Sequence, residues 1–97
     1  MKPFKIVYTP QCRQIISHLS PNVKRPLRQL IEALMEDPYL GKQLQDEFEG
    51  LRSLRYKRYR VIYRIREDHK QIEILLAGPR FQIYQELTKW MGKVRTS

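Results

Sequence analysis

Hydrophobic and polar residues recur with two different periods along the chain, and the change of period separates predicted helices from predicted strands. Phe4 to Thr9 is rich in β-forming residues and lies between two prolines, which predicts a short first strand. Thr9 then precedes a proline at the first helical position, where a threonine side chain can act as N-cap. The helix that follows carries apolar residues on one face, namely Ile15, Ile16 and Leu19.

A second helix is predicted immediately after the first. Ser20 can cap it with Pro21 in its first turn, and helical spacing continues until Asp37 and Pro38 end it. Residues 38–50 contain turn formers and acids, which predicts a loop that connects two antiparallel helices to a sheet. The apolar residues at helical spacing are Leu27, Leu30, Ile31, Leu34 and Met35.

From residue 51 onward the period becomes two, which is typical of strands. Strands are predicted at residues 51–56, 59–66 and 71–77, and helical spacing returns at 81–91. The predicted order is βααβββα in an α+β fold. It has a small antiparallel-rich sheet, with the two N-terminal helices on one face and the C-terminal helix flanking the other. A chain of 97 residues holds one core, so residues 1–97 are expected to form a single domain.

Charge is strongly segregated within this order. The formal net charge is +9, and the predicted hairpin from Leu51 to Arg66 holds seven Lys or Arg residues and no acid. Six of the ten acids lie between Glu32 and Glu49 instead. Positive charge concentrated in this way favours an acidic partner, which could be nucleic acid, an anionic membrane surface or an acidic protein.

Other classes of protein find little support in the sequence. Cys12 is the only cysteine, so no internal disulfide can form, and it is expected to be a small apolar residue within a helix. No apolar run is long enough for a signal peptide or a membrane span, and we expect a soluble cytoplasmic protein. The acids lie away from the basic segment and no glycine-rich phosphate loop is present, so no metal and no other cofactor is expected.

Alternation along the strand 59–66 separates its two faces. The face expected to pack under the two N-terminal helices holds Tyr59, Val61, Tyr63 and Ile65. The opposite face carries arginines, including Arg60. These arginines either form an open basic platform beside the C-terminal helix or are solvated charges that suppress aggregation.

Three features together resemble the RelE/ParE superfamily of toxins from type II toxin–antitoxin systems. They are the order βααβββα, the strand YRVIYRI at residues 59–65 and the segment GPRFQIYQEL at residues 78–87. A glycine, an arginine and a tyrosine spaced as Gly78, Arg80 and Tyr84 are typical of the RelE branch. That branch implies a metal-free mRNA interferase, which enters the ribosomal A site, cuts messenger RNA and inhibits translation. The resemblance also implies a cognate antitoxin that masks the toxin, and operator DNA bound only through the antitoxin complex.

The resemblance assigns catalytic roles to particular residues. Arg60 and Arg80 match positions that stabilise the phosphate, and a planar guanidinium suits this role because it donates two hydrogen bonds in fixed geometry. Tyr84 follows Arg80 by one helical turn, where its phenol could transfer a proton or stack on RNA. Relatives often carry lysines on the preceding strand. This chain has arginines there, which cannot release a proton. Either Lys57 in the tight turn acts as the acid, or catalysis relies on Tyr84 and electrostatics, or this chain does not cleave RNA. Four other arginines of the hairpin are expected to bind RNA, namely Arg52, Arg55, Arg58 and Arg64.

Two other functions remain open from the sequence. One is a ParE-like inhibitor of DNA gyrase without nuclease activity. The lack of lysines before YRVIY favours it, as does Pro79 where many relatives have a histidine, whereas the pair Arg80 and Tyr84 argues against it. The other is a non-catalytic RNA-binding module, which the same basic residues would serve equally well.

Overall fold

Three helices pack on the two faces of a five-stranded sheet in the computed structural model, which describes residues 3–96 and the side chains of residues 3–92. The strands are β1 (Lys5–Tyr8), β2 (Lys42–Gln43), β3 (Arg52–Tyr56), β4 (Tyr59–Arg66) and β5 (Gln71–Pro79). The helices are α1 (Pro10–Ser17), α2 (Pro21–Glu32) and α3 (Arg80–Thr96). The strand order is β1-β5-β4-β3-β2, in which β1 and β5 are parallel and the other pairs antiparallel. The predicted antiparallel-rich α+β fold is confirmed.

The short strand β2 lies in the segment that was predicted to be a loop. Its residues Lys42 and Gln43 pair with Ser53 and Arg52 at the outer edge of β3. Two residues are too few to show a period of two, so the pattern of the sequence could not reveal this strand. The order of elements is therefore βααββββα, with one strand more than predicted.

The first two helices begin where the sequence indicates. The side-chain oxygen of Thr9 accepts a hydrogen bond of 3.1 Å from the backbone N–H of Cys12, and Pro10 occupies the first helical position. Ser20 precedes α2 in the N-cap position, although its side chain makes no capping hydrogen bond. None of the helices within residues 3–96 is long and apolar enough to cross a bilayer.

Two hydrophobic clusters lie on opposite faces of the sheet. The first, under α1 and α2, contains Cys12, Ile16, Leu27, Ile31, Leu34, Leu54, Val61, Tyr63, Ile72, Ile74 and Ala77. The second, under α3, contains Leu51, Ile62, Leu75, Leu76, Ile83 and Leu87. The predicted assignment of Val61 and Tyr63 to the face under the N-terminal helices is confirmed. Burial raises the pKa of the Cys12 thiol to about 12, so this residue remains a neutral part of the core, as predicted.

The buried hydroxyl of Tyr63 fixes the segment that leads into β2. It donates a hydrogen bond of 2.7 Å to the carbonyl oxygen of Pro38 and accepts one of 2.9 Å from the N–H of Gly41. A Cβ atom on Gly41 would lie 2.7 Å from the Tyr63 ring and 2.9 Å from the carbonyl oxygen of Ser53, so a larger residue does not fit. This close packing determines where the next residue, Lys42, lies.

Candidate functional site

A cleft of about 360 Å³ opens on the face of the sheet that α3 covers. It is lined by Lys42, Leu44, Ser53, Arg55, Arg60, Arg80 and Tyr84. We call it the basic cleft, because four of these seven residues are cations and none of the described lining residues is an acid. Residues from β2, β3, β4 and α3 meet here, so the site depends on the whole antiparallel half of the sheet.

The floor of the basic cleft contains an unfavourable pair of like charges. Arg55 and Arg60 are directly opposite each other on β3 and β4, so both side chains lie on the same face. Like charges in this arrangement destabilise a sheet. Arg60 is only 9% exposed, and its burial, followed by the charges of Arg55 and Arg80, lowers the pKa of its guanidinium. An arginine nevertheless stays protonated at neutral pH, so the positive charge persists.

The turn between β3 and β4 holds Arg60 in place. Its Nη1 donates hydrogen bonds to the carbonyl oxygens of Lys57, at 3.0 Å, and Tyr59, at 2.9 Å. Lys57 adopts a φ of 53°, in the left-handed region that non-glycine residues seldom occupy. Among the described residues no carboxylate lies within ion-pair distance of Arg60. The guanidinium is therefore oriented by the backbone without being neutralised.

The start of α3 brings two further predicted residues to the basic cleft. The N–H of Arg80 donates a hydrogen bond of 2.7 Å to the carbonyl oxygen of Arg58, which ties the helix to the hairpin turn. Tyr84 lies one turn later, and its ring packs against Phe48 with the ring centroids 6.4 Å apart. The positive end of the helix dipole also lies at this point. Arg60, Arg80 and Tyr84, which were predicted to act together, thus line one cleft.

Two arginines that were predicted to bind RNA, Arg52 and Arg64, have hydrogen-bond partners within the protein. Arg52 lies opposite Tyr63 and so faces α1 and α2, where its Nε donates a hydrogen bond of 3.0 Å to the carbonyl oxygen of Gly41. Arg64 donates two hydrogen bonds to the carboxylate of Glu73, from Nε to Oε1 at 3.1 Å and from Nη2 to Oε2 at 3.3 Å. These hydrogen bonds are the main reason that the pKa of Glu73 lies below its ordinary value. Neither arginine is among the residues that line the basic cleft.

Lys57 and Arg58 lie beside the basic cleft and not in it. The Nζ of Lys57 is 5.5 Å from the centroid of the Tyr56 ring, and Tyr56 packs against the cluster under α1 and α2. The backbone of Lys57 supports Arg60, but its ammonium group is not among the groups that line the cleft. Arg58 lines an adjoining groove together with Arg80, Phe81 and Tyr84.

Sequence reasoning missed Lys42 and Ser53 as residues of the site. Lys42 pairs with Ser53 across β2 and β3, and the two line the same side of the cleft. The only signal in the sequence was a lysine that follows a glycine in a predicted loop, which does not indicate a position in a sheet. Lys42 differs from the arginines of the cleft in one chemical respect, because an ammonium group can release a proton.

Comparisons with known proteins agree with this architecture. The sequence profile of the ParE-like toxin of type II bacterial toxin–antitoxin systems matches residues 6–88. The toxin RelE of Mycobacterium tuberculosis is 40% identical over 53 residues, which are 54% of this chain and 55% of that protein. The match to this curated relative therefore spans about half of its length.

Solved structures extend the similarity to most of the chain. A chain of the RelBE2 toxin–antitoxin complex from M. tuberculosis is 29% identical with a TM-score of 0.73, over 80% of this chain and 99% of that one. The isolated RelE toxin of E. coli has a TM-score of 0.70 at 15% identity, over 91% and 98% of the two chains. A chain of the archaeal RelE–RelB complex from Pyrococcus horikoshii has a TM-score of 0.66 at 21% identity, over 80% and 96%. At 15% and 21% identity the likeness concerns the fold alone.

Proposed function

The chain belongs to the family of ParE-like toxins of type II bacterial toxin–antitoxin systems, and we propose that it is a ribosome-dependent endoribonuclease that cuts messenger RNA. The observation that carries this proposal is the gathering of Arg55, Arg60 and Arg80 in one cleft whose described lining contains no acid. Such a cluster costs stability in the free protein. A phosphodiester would supply the missing negative charge.

The proposed reaction is an internal transesterification. The 2′-oxygen of one nucleotide attacks the adjacent phosphorus, the bond from phosphorus to the 5′-oxygen of the next nucleotide breaks, and a 2′,3′-cyclic phosphate forms. The 2′-hydroxyl loses a proton and the departing 5′-oxygen gains one, so atoms and charge balance. Arg60 and Arg80 stabilise the negative charge that develops on the phosphorane, without a metal ion.

Proton transfer requires side chains that can gain and lose a proton, which the guanidinium of arginine does not do in proteins. We assign one transfer to Lys42, in the role for which the sequence suggested Lys57, because Lys42 lines the basic cleft whereas Lys57 does not. Tyr84 lines the same cleft and is the second candidate. The ammonium of Lys42 would donate a proton to the departing 5′-oxygen, and the side-chain oxygen of Tyr84, in its deprotonated form, would accept the proton of the 2′-hydroxyl, so the site has one donor and one acceptor.

Lys42→Arg tests the assignment of the lysine, because it keeps the charge and removes the transferable proton. Cleavage by this variant is expected to fall by roughly 10²-fold, within the range that general acid–base catalysis supplies, and to lose one limb of the pH–rate profile. Lys57→Arg is the matched control and should cut at the wild-type rate. If Lys57→Arg is the slower enzyme, the sequence-based assignment was correct and the role of Lys42 is wrong.

The proposed partners follow from the same charge. Messenger and ribosomal RNA would bind the basic surface, with an affinity that falls steeply as salt rises. A cognate antitoxin would cover the basic cleft, and operator DNA would be bound only by the complex of the two proteins. An acidic or amphipathic flexible segment has the chemistry to do this. The location proposed with these partners is the cytoplasm, where ribosomes and messenger RNA are found.

The direct test is a reconstituted translation system in which messenger ends are mapped by primer extension. The wild-type protein should cut only messenger that ribosomes are translating, and Arg80→Ala should lower the cleavage rate by about 10²-fold or more. Arg13→Ala, an exposed arginine on α1, is the matched control and should cut normally. Intact messenger with wild-type protein would overturn the proposal, and inhibition of DNA gyrase in the same preparation would establish the ParE-like alternative.

A further inference from the structure

Phe81 is an aromatic residue whose position core packing does not explain. Its side chain is 76% exposed, more than any other large hydrophobic side chain among the described residues. The buried stripe of α3 consists of Ile83 and Leu87, with Trp90 and Met91 packed against it. Phe81 lies outside this stripe, at the first turn of α3, immediately after Arg80.

The surroundings of Phe81 form a groove that continues the basic cleft. The groove has a volume of about 660 Å³ and is lined by Arg58, Arg80, Phe81 and Tyr84. Arg80 and Tyr84 also line the basic cleft, so the two share a wall. The hydrogen bond from the N–H of Arg80 to the carbonyl oxygen of Arg58 holds the hairpin turn against the helix, which keeps the two sides of the groove together.

We propose that this groove binds the nucleobase of a nucleotide next to the scissile phosphate, by stacking it on the ring of Phe81 beside the guanidinium of Arg58. The inference rests on the proposed nuclease function and names a substrate subsite for it. Aromatic rings and guanidinium planes are the groups on which proteins stack unpaired bases. Because purines offer the larger face, the subsite should prefer a purine.

The charges of the groove favour RNA over an apolar protein segment as its occupant. An apolar side chain from a protein partner would cover Phe81 but would leave Arg58 and Arg80 without a counter-charge. A nucleotide brings its own phosphate, and the shared Arg80 would bind that phosphate while the base lies against Phe81. No acid is present among the described residues that line either the groove or the basic cleft.

The test uses a short single-stranded oligonucleotide that cannot be cut, because its 2′-hydroxyl is removed at the scissile position. It carries 2-aminopurine at the neighbouring nucleotide, and binding to the wild-type protein should quench the fluorescence of this base. Phe81→Leu should weaken binding by about fivefold or more, as expected for the loss of one stacked base. Phe81→Trp should restore the affinity, and Gln82→Leu, on the same turn of α3, should leave it unchanged.

An abasic nucleotide at the 2-aminopurine position completes the experiment. Wild-type protein and Phe81→Leu should bind the abasic oligonucleotide equally well, since the stacking partner is missing. The same variant in the translation assay should raise KM at purine-containing cleavage sites more than it lowers kcat. Equal binding of the intact oligonucleotide by wild type and Phe81→Leu, together with unchanged cleavage, would overturn the proposal. A loss of affinity for the antitoxin alone would also overturn it, because the groove would then bind protein.

The outcome also separates the subsite from the nuclease function. Cleavage that depends on Arg80 but not on Phe81 would leave the nuclease in place and remove the subsite. Quenching that depends on Phe81, with no cleavage of messenger, would establish the base-binding groove on a protein that does not cut RNA.

Discussion

Arg52 and Arg55 lie three residues apart on the short strand β3, and their side chains are on opposite faces of the sheet. Arg52 faces α1 and α2, where the carbonyl oxygens of Gly41 and Tyr39 accept its hydrogen bonds at 3.0 and 3.3 Å. Arg55 faces the other side, opposite Arg60, in a cleft whose described lining has no acid. The hydrogen bonds of Arg52 stabilise the fold, whereas the described lining around Arg55 offers no counter-charge. The charge of an arginine therefore does not show by itself whether its side chain has a partner within this protein.

Two arginines of β4 differ in the same way, and substituting them should give the largest difference in cleavage rate. Arg60 has no described ion-pair partner, whereas Arg64 is held by Glu73. Arg60→Lys keeps a positive charge but loses the planar fork, and cleavage in the translation assay should fall by roughly 10²-fold. Arg64→Lys should change the rate by less than about threefold, as is usual for residues that make no contact with the reacting atoms. Equal losses for the two variants would remove the distinction between the arginines.

A substitution at Tyr63 should destabilise the segment before β2, which Arg52 also supports. Tyr63→Phe removes the hydroxyl that bonds Pro38 and Gly41, and leaves two buried backbone groups without a partner. The free energy of unfolding should fall by about 1–3 kcal/mol. In a domain of this size each kcal/mol lowers Tm by roughly 4–8 °C, which thermal unfolding would detect. Tyr59→Phe is the matched control, and a similar loss there would show that the hydroxyl of Tyr63 is not the cause.

Alanine substitutions of the two arginines of β3 are expected to change the free energy of unfolding in opposite directions. Arg52→Ala removes hydrogen bonds to two carbonyl oxygens and should lower the free energy of unfolding by about 1 kcal/mol. Arg55→Ala removes a repulsion across the strands and should raise it by about 0.2–1 kcal/mol, while RNA binding weakens. Urea unfolding of both variants in the absence of RNA provides the measurement. A destabilised Arg55→Ala would mean that the cluster is already compensated within the protein.

The smallest expected effect is the pH dependence of stability that arises from Glu73, the partner of Arg64 on β4. The hydrogen bonds from Arg64 hold the pKa of Glu73 below its ordinary value. The ionised carboxylate therefore stabilises the fold above about pH 4, and this contribution is lost as pH falls through the lowered pKa. Arg64 and Arg66, whose Nη1 is 3.3 Å from the same carboxylate, are both partly exposed, so the contribution should be no more than about 1 kcal/mol. Urea unfolding provides the measurement. Between pH 7 and pH 3 the free energy of unfolding should change less for Glu73→Gln than for the wild type, whereas Glu49→Gln should behave like the wild type.

Much of the candidate site could be predicted from local patterns. A proline after Thr9 marks the start of α1, and the period of two in residues 59–66 correctly assigns Val61 and Tyr63 to the core under the N-terminal helices. The same alternation places Arg60 on the other face. The resemblance of YRVIYRI and GPRFQIYQEL to known toxins pointed to Arg60, Arg80 and Tyr84, which line one cleft. Their roles in catalysis remain predictions.

Other parts of the site depend on pairings between distant segments. The register of β4 and β5 shifts between Ile62 and Tyr63, and the consecutive residues Leu75 and Leu76 both belong to the cluster under α3. Beyond this irregularity Glu73 lies opposite Arg64 and neutralises it. A period of two does not predict a change of register, so the sequence could not show which arginine would be paired.

By itself the sequence determined the order of the principal elements, the faces of β4 on which Arg60, Val61 and Tyr63 lie, and the excess of positive charge. These properties follow from neighbours within a few residues, through backbone geometry and capping. Only the tertiary structure decided which cations are neutralised, that Lys42 belongs to the cleft and that Lys57 does not. Those outcomes depend on register and on close packing such as that of Tyr63 on Gly41. They are interactions between residues far apart in the chain, which no local period records.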